Sequence, residues 1–362
     1  MKPYFKGLDT LRAVAALIVV IGHVEEIKNI FGIPNILHSK GFQLPDGHLS
    51  VVLFFVLSGF LITFLLIKEK QNFGKISLRD FYIRRVFRIM PLYFMVLFLS
   101  FVIFRQEYQT NTIILCATIF PNIAHALSIG WPTSPQIWSI GVEEQFYLLW
   151  PLLLILIPPK RVTIYLILFF AGFSLIHLLL GYANFNTVQN TGFNDFVYKF
   201  FYFSKFNSMA LGSMLGYMCA TNNKNLRFLF NNYVAYASVF LSFFMWFFHI
   251  SFQYFNDEIY SMVFGVMIIN LAANNSFKLH IDTKVSVFLG KISYGIYMYH
   301  WIIIMLLMKL IPYSIFKTNI SFNIVIYSLA IILTICVSWV SYVSFEKYFL
   351  KLKERFTRNT AS

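Results

Sequence analysis

Charge is scarce in this chain of 362 residues: Asp, Glu, Lys and Arg make up 12% of it, against 58% apolar residues. The apolar residues fall in runs too long and too numerous for soluble cores, which excludes a soluble globular protein and predicts a multi-pass membrane protein. Acidic residues are the scarcer sign, 15 against 29 Lys and Arg, for a net charge of +14. Such an excess would suit a nucleic acid or an anionic substrate, but in a membrane protein it is first sorted by side. That sorting explains most of it, and no nucleic-acid partner is expected. Cysteine is limited to Cys116, Cys219 and Cys336, which sit in apolar settings without metal-ligand spacing and read as packing residues. His38, His48, His125, His177, His249 and His280 are isolated, so no metal site is expected. There is no repeat and no low-complexity tract. Nothing resembles a cleavable signal peptide, because the first apolar run carries Arg12 and His23 and flows into further spans. One membrane-embedded domain over residues 1–362, with no appended soluble domain, is the expectation.

Apolar segments lie near 8–29, 49–67, 89–104, 137–157, 162–180, 206–221, 232–250, 257–274, 287–311 and 322–345. They predict an all-α integral membrane protein of about ten transmembrane helices with both termini on one side. With those termini cytoplasmic, 22 Lys and Arg fall inside, while seven (Lys28, Lys40, Arg105, Lys199, Lys205, Lys309 and Lys317) fall outside or at outer span ends. That asymmetry sets the orientation. A shorter apolar run, Thr112 to Phe120, ends at Pro121 and would invert every later loop if it spanned; it is expected to be re-entrant or interfacial. The largest outer loops are expected at about 105–136 and 182–205. Aromatic clusters such as residues 200–203 lie where a span meets an interface, so a lipid belt accounts for them.

The first span carries the least expected residues. Arg12 and His23 are eleven residues apart, so at about 100° per residue they return to within about 20° of each other on one helix face. They stand about 16 Å apart along the axis. A cation and an imidazole on such a face point to a functional interior; the alternative is that Arg12 snorkels to the inner surface and His23 marks the far interface. After the second span, Ser77 and Asp80 have capping-box spacing, so a helix is expected to start there along the inner face. Arg84, Arg85 and Arg88 crowd its surface, and their repulsion is relieved by an anion, either a bidentate phosphate or lipid headgroups.

Ser139, Glu143 and Tyr147 recur every fourth residue and form a polar stripe on the fourth span, with Glu143 at a depth comparable to His23. A carboxylate that orients an imidazole is one role for Glu143; a purely structural buried carboxylate is the other. Glu144 reads as a neighbour with a packing or interface role. Ser293, Tyr297 and His300 share a face of the ninth span and line the same interior, with His300 expected to bond a neighbouring tyrosine.

Taken in order, Leu8-Asp9-Thr10-Leu11-Arg12 with His23, Leu53 through Ser58-Gly59-Phe60, Arg84-Arg85 through Arg88 to Pro91, Trp138-Ser139 through Glu143 to Tyr147, Ser293-Tyr294 through His300-Trp301, and Ser341-Tyr342 with Glu346-Lys347 carry a resemblance. The chain resembles the acyltransferase type 3 family of bacterial multi-pass membrane O-acyltransferases, nearly end to end. Each motif is weak alone; their order across one domain is specific. The resemblance implies transfer of an acyl group, most often acetyl, from cytoplasmic acyl-CoA to a hydroxyl of an extracytoplasmic glycan, a lipid-linked saccharide or a small acceptor. It implies an enzyme of the bacterial cytoplasmic (inner) membrane, a partner of membrane lipids and of cell-envelope glycans such as lipopolysaccharide, with no bound cofactor and acetyl-CoA the expected co-substrate. Arg12 and His23 map onto the family's arginine–histidine pair, and Arg84, Arg85 and Arg88 onto its basic motif. The chain departs from the usual wording at Thr10, where a small residue is common, and at Val52, where an acidic residue often stands; Val52 removes a polar lining group and bears on acceptor choice. The soluble esterase-like domain fused to some relatives is not expected here.

The expected site therefore places His23 and Glu143 at the chemistry, Arg12, Arg84, Arg85 and Arg88 on the acyl-CoA phosphates, and Asp9, Ser139, Tyr147, Ser293, Tyr297 and His300 along the interior. His23 is expected to deprotonate the acceptor hydroxyl, or an enzyme hydroxyl in a covalent relay. A transporter or flippase for an anionic or glycosylated lipid is the competing class, since intramembrane Arg, His and Glu also line pathways. It would move a substrate without consuming acyl-CoA. A membrane scaffold leaves the aligned Arg12–His23 pair unexplained.

Overall fold

A computed structural model describes residues 5–35, 45, 47–186 and 192–357; His38, Lys40, Arg358 and part of the expected 182–205 loop lie outside them. The protein is all-helical, 81% helix, with no strand among the described residues. In chain order the α-helices are α1 (Leu8–Ile30), α2 (Gly47–Phe73), α3 (Leu78–Phe104), α4 (Thr110–Ala117), α5 (Pro121–Ala126), α6 (Trp138–Leu156), α7 (Val162–Asn186), α8 (Phe193–Phe203), α9 (Phe206–Ala220), α10 (Asn232–Phe247), α11 (Asn256–Ala273), α12 (Lys284–Lys291), α13 (Ser293–Leu310), α14 (Asn319–Ser341) and α15 (Lys347–Phe356). A π-helical turn, Tyr342–Glu346, joins the last two.

Among the described residues, six stretches are long and apolar enough to cross a membrane: Gly47–Phe73, Leu78–Phe104, Pro135–Leu156, Pro159–Ala183, Ser293–Leu310 and Asn319–Phe356. α9 and α10 are shorter, and α11 opens on Asp257 and Glu258. α1 is long enough but carries Asp9, Arg12, Glu25, Glu26 and Lys28. Asp9, Arg12 and Glu26 are partly exposed, whereas the other two charges lie inside the bundle. Glu25 and Lys28 are fully buried; Lys28 Nζ donates to Glu25 at 2.7 Å and to Asn323 of α14 at 2.9 Å. A buried charge with such partners avoids the cost of an unpaired one.

Buried apolar side chains form two clusters that share α1 and α2. α9 contributes to both as well; one adds α3, α6, α13 and α14, the other α10 and α11. The α2–α9 seam is made by glycine. A Cβ on Gly59 would stand 2.0 Å from the Met209 carbonyl oxygen, and one on Gly212 would stand 2.1 Å from that of Val56. Gly216 follows Gly212 at small-xxx-small spacing, the pattern by which apolar helices pack backbone against backbone. The seam holds α2 in place, and with it Ser58.

Local signals explain the helix ends that matter for the site. Ser77 caps α3, its side chain accepting from Asp80 N at 3.3 Å. The inner-face helix and the following span are one element, which continues through Pro91 to Phe104. The expected continuous span 287–311 is corrected: it breaks at Ile292 between α12 and α13. Gly290, where a Cβ would stand 2.2 Å from the Asp9 carbonyl oxygen, lets α12 close onto α1, and Ser293 Oγ donates back to Gly290 O at 2.9 Å. Residues 112–120 fall in α4 and the turn after it. Eight residues rise only about 12 Å, far short of a bilayer core. α5 then packs on α6, with Pro121 against Gly141 and the amides of Asn122 and Gln145 paired at 2.7 and 3.2 Å.

Candidate active site

A cavity of about 540 Å³ opens where the start of α1, most of the length of α2, the second and third turns of α3, the first half of α6 and the start of α13 converge. Its wall holds Asp9, Arg12, Ser58, Lys68, Glu69, Arg84, Arg85, Arg88, Ser139, Glu143, Tyr147, Ser293, Tyr294, Tyr297 and Lys353. The structure thus gathers the three arginines of α3, Arg12 of α1 and the polar stripe of α6 around one space, with cations outnumbering carboxylates.

The cations are not equivalent. Arg12 is held by Asp9 of its own helix at 3.2 Å. Arg84 is bound to Glu69 of α2 at 2.8 Å, and the other oxygen of Glu69 accepts from Ser77 N at 2.9 Å. Arg85 lies over the rings of Tyr147 and Phe81, 5.1 and 5.6 Å from their centroids, a cation–π placement. Neither Arg85 nor Arg88 has a carboxylate ion-pair partner among the described residues. Arg84, though ion-paired, also keeps a buried Nη1 without a hydrogen-bond partner among the described residues.

Glu143 accepts from Ser58 Oγ at 2.7 Å and from Tyr147 at 3.2 Å. The orienting contact from Glu143 to His23 is corrected on this geometry: both carboxylate oxygens are engaged by groups of α2 and α6. His23 is held instead by His300, Nδ1 to Nε2 at 2.7 Å, with the rings stacked 8° from parallel and the edge of Trp301 at 5.0 Å. The expected tyrosine bond of His300 gives way to this pairing across α1 and α13. One proton lies between the two nitrogens. When His23 Nδ1 carries it and His300 Nε2 accepts it, His23 Nε2 is free to act as a base, so His300 is placed to set the tautomer. His23 Nε2 is 3.6 Å from Glu26, a carboxylate whose side chain is 59% exposed, so this nitrogen faces the more open side. His300 is fully buried.

Between the cavity and the histidines lies a polar string. Ser139 and Tyr297 share a hydrogen bond of 2.6 Å, and Tyr297 donates to the carbonyl of Gln136 at 3.0 Å. Gln136 Nε2 donates to Met298 O at 3.0 Å, tying the start of α6 to α13. Tyr294 donates to Ile89 O at 3.0 Å, which fixes α13 against α3. Ser58, Glu69 and Lys353 were not among the expected site residues. Ser58 sits in a motif run, but its bond to Glu143 arises between helices 85 residues apart in sequence. Lys353 belongs to no motif.

An all-helical bundle with several membrane-length apolar helices, enclosing a cation-rich cavity separated by a polar string from a histidine pair, defines an integral membrane protein. A family model described as an acyltransferase domain matches residues 5–343, and the chain belongs to that family, acyltransferase type 3. It is similar to Peptidoglycan O-acetyltransferase OatA of Listeria monocytogenes, 31% identical over 168 residues, which is 42% of this chain and 25% of that protein. It is also similar to a protein of Bacillus subtilis named "Putative peptidoglycan O-acetyltransferase YrhL", 32% identical over 170 residues, 42% of this chain and 24% of that one. The chain thus covers about a quarter of the length of these curated relatives. No solved structure matches it.

Proposed function

We infer that this protein is an integral membrane O-acyltransferase, an O-acetyltransferase in the first instance, that moves an acyl group from cytoplasmic acyl-CoA to a hydroxyl of an extracytoplasmic glycan or lipid-linked saccharide. The observation that carries the reading is the cavity in which Arg85 and Arg88 stand without carboxylate ion-pair partners among the described residues, beside Arg12 of the helix that also bears His23. A CoA thioester has phosphates at one end and a reactive carbonyl at the other, joined by an extended arm. The arginine cluster suits the first and the imidazole, about 16 Å along α1 from Arg12, suits the second. Family membership and relatives named for peptidoglycan O-acetylation support a glycan acceptor.

In this reading ten helices, α1, α2, α3, α6, α7, α9, α10, α11, α13 and α14, cross the bacterial inner membrane, with both termini cytoplasmic and the arginine end of the cavity facing the cytoplasm. His23 removes the proton of the acceptor hydroxyl as its oxygen attacks the thioester carbonyl. The C–S bond then breaks, the proton passes to the thiolate, and acylated acceptor and free CoA leave. Glu143, fixed by Ser58 and Tyr147, lies in the cavity between the arginines and the polar string; its role is to hold the wall near the thioester arm. The test is thiol release from acetyl-CoA by membranes containing the protein, with and without glycan acceptor, coupled to mass spectrometry of the acceptor. Acceptor-dependent thiol release with acetylated glycan supports the enzyme. Acceptor movement without thiol release would make the protein a transporter.

A further inference from the structure

The family match ends at residue 343, yet a side chain ten residues further on reaches the cavity. That side chain is Lys353, in α15. The helix reads KYFLKLKERF, with Lys351, Glu354 and Arg355 exposed and Phe349, Leu350 and Leu352 half-buried. Lys353 is half-buried too, one helical turn after Phe349, on the face where amphipathic spacing calls for an apolar residue. A lysine there lays its stem along apolar surface and delivers its ammonium group at the end.

Two features hold it in place. The Phe356 ring stacks on Phe87 of α3, centroids 5.9 Å apart and 5° from parallel. Lys353 and Phe356 are neighbours at i, i+3, so this contact keeps Lys353 against the turn of α3 that carries Arg84 and Arg88. The π-helical turn before α15 inserts about one residue into the helical repeat, which rotates every later face by about 100°. The turn thereby decides which face of α15 meets the cavity.

We propose that Lys353 binds a phosphate of the acyl-CoA donor, so that α15 forms part of the donor site. This rests on the reading of the cavity as the acyl-CoA site. Arg85 and Arg88 offer planar forks fixed on a long helix, whereas Lys353 brings a compact charge on a flexible stem, suited to a phosphate at the mouth. An anionic lipid headgroup offers the same phosphate chemistry, and the test separates the two sources.

CoA affinity is measured by titration of the full-length protein in nanodiscs of zwitterionic lipid, for the parent, K353A, K353R, K351A and R88A. K353A weakens CoA binding by about tenfold, the effect of one charge-assisted phosphate contact, while K353R and K351A stay near the parent. The KM for acetyl-CoA rises in K353A, whereas that for S-acetylpantetheine, which has no phosphate, does not. An equal rise for both donors would mean that Lys353 only supports α15, and would overturn the proposal. Unchanged CoA binding in K353A with a loss in R88A overturns it while leaving the donor cavity standing; if K353A then loses retention on anionic vesicles alone, the phosphate is a lipid's. If R88A also binds CoA as the parent does, the reading of the cavity falls with it.

Discussion

Replacing the three arginines of α3 singly by alanine should rank them by what already holds each one. Arg88 lines the cavity without a carboxylate partner among the described residues, so R88A deletes a contact reserved for the donor. A charge-assisted contact to phosphate contributes about 1.5–3 kcal/mol, and its loss lowers CoA affinity roughly ten- to a hundredfold. Arg85 is equally available but also lies over Tyr147 and Phe81, so R85A adds a loss of about 0.5–1 kcal/mol in ring contacts and is the less clean variant. Arg84 is bound to Glu69 at 2.8 Å, and Glu69 is only 9% exposed but keeps Ser77 N as a donor, so R84A costs about 1–3 kcal/mol of stability and leaves donor affinity within a few-fold of the parent. R88K keeps the charge and loses the fork, and should fall between R88A and the parent. Titration with CoA on purified protein, alongside a thermal unfolding curve for each variant, gives the ranking. An R84A loss as large as that of R88A, or an R88A affinity equal to the parent's in a folded protein, would refute the assignment of the free guanidinium groups to the donor.

Gly59→Ala should destabilise the protein by about 1–3 kcal/mol or more, because the added methyl meets backbone of α9 that no rotamer change can clear; a melting temperature equal to the parent's would show that the seam can open without cost. Lys205→Met strips the ammonium partner from Asp257, which is 7% exposed, but leaves it His48 at 3.1 Å, and should cost about 1–3 kcal/mol, with partial recovery on adding Asp257→Asn; chemical or thermal unfolding that moves by less than about 0.5 kcal/mol would contradict it. In a variant without native cysteines, Asn256→Cys should react with an impermeant thiol reagent added outside intact cells and Asn223→Cys should not. Equal labelling would overturn the ten-span topology.

Much of the site was legible before any coordinates because it depends on local periodicity. The eleven-residue interval between Arg12 and His23, the turn spacing of Arg84 and Arg88, the stripe of Ser139, Glu143 and Tyr147, and the Ser77 cap are each properties of one helix, and each helix is where its hydrophobic pattern puts it. What was not legible is which helices face one another. Glu143 was expected at His23 because both were assigned similar depths; the structure pairs it with Ser58 because α6 and α2 meet at that level, joined further along by Trp150 donating to Thr63 at 2.7 Å. The His23–His300 pair spans 277 residues of sequence and leaves no periodic trace. The break at Ile292 was hidden for a related reason. Gly290 looks like any glycine in an apolar run until α1 comes within backbone contact of it. Lys353 was counted only as an inner-face charge, since its inward direction depends on the π-helical turn before it.

The central claim is that His23 carries the proton in acyl transfer. His23→Gln keeps much of the size of the side chain and a hydrogen bond toward His300, but it cannot accept and release a proton at neutral pH. The deciding measurement is acylated acceptor formed per minute by H23Q and parent at saturating acetyl-CoA and acceptor, with CoA affinity determined on the same samples. The account predicts CoA binding near the parent's and a turnover lower by at least about 10²-fold, the usual consequence of losing a general base. Turnover close to the parent's would contradict it and move the base to His300.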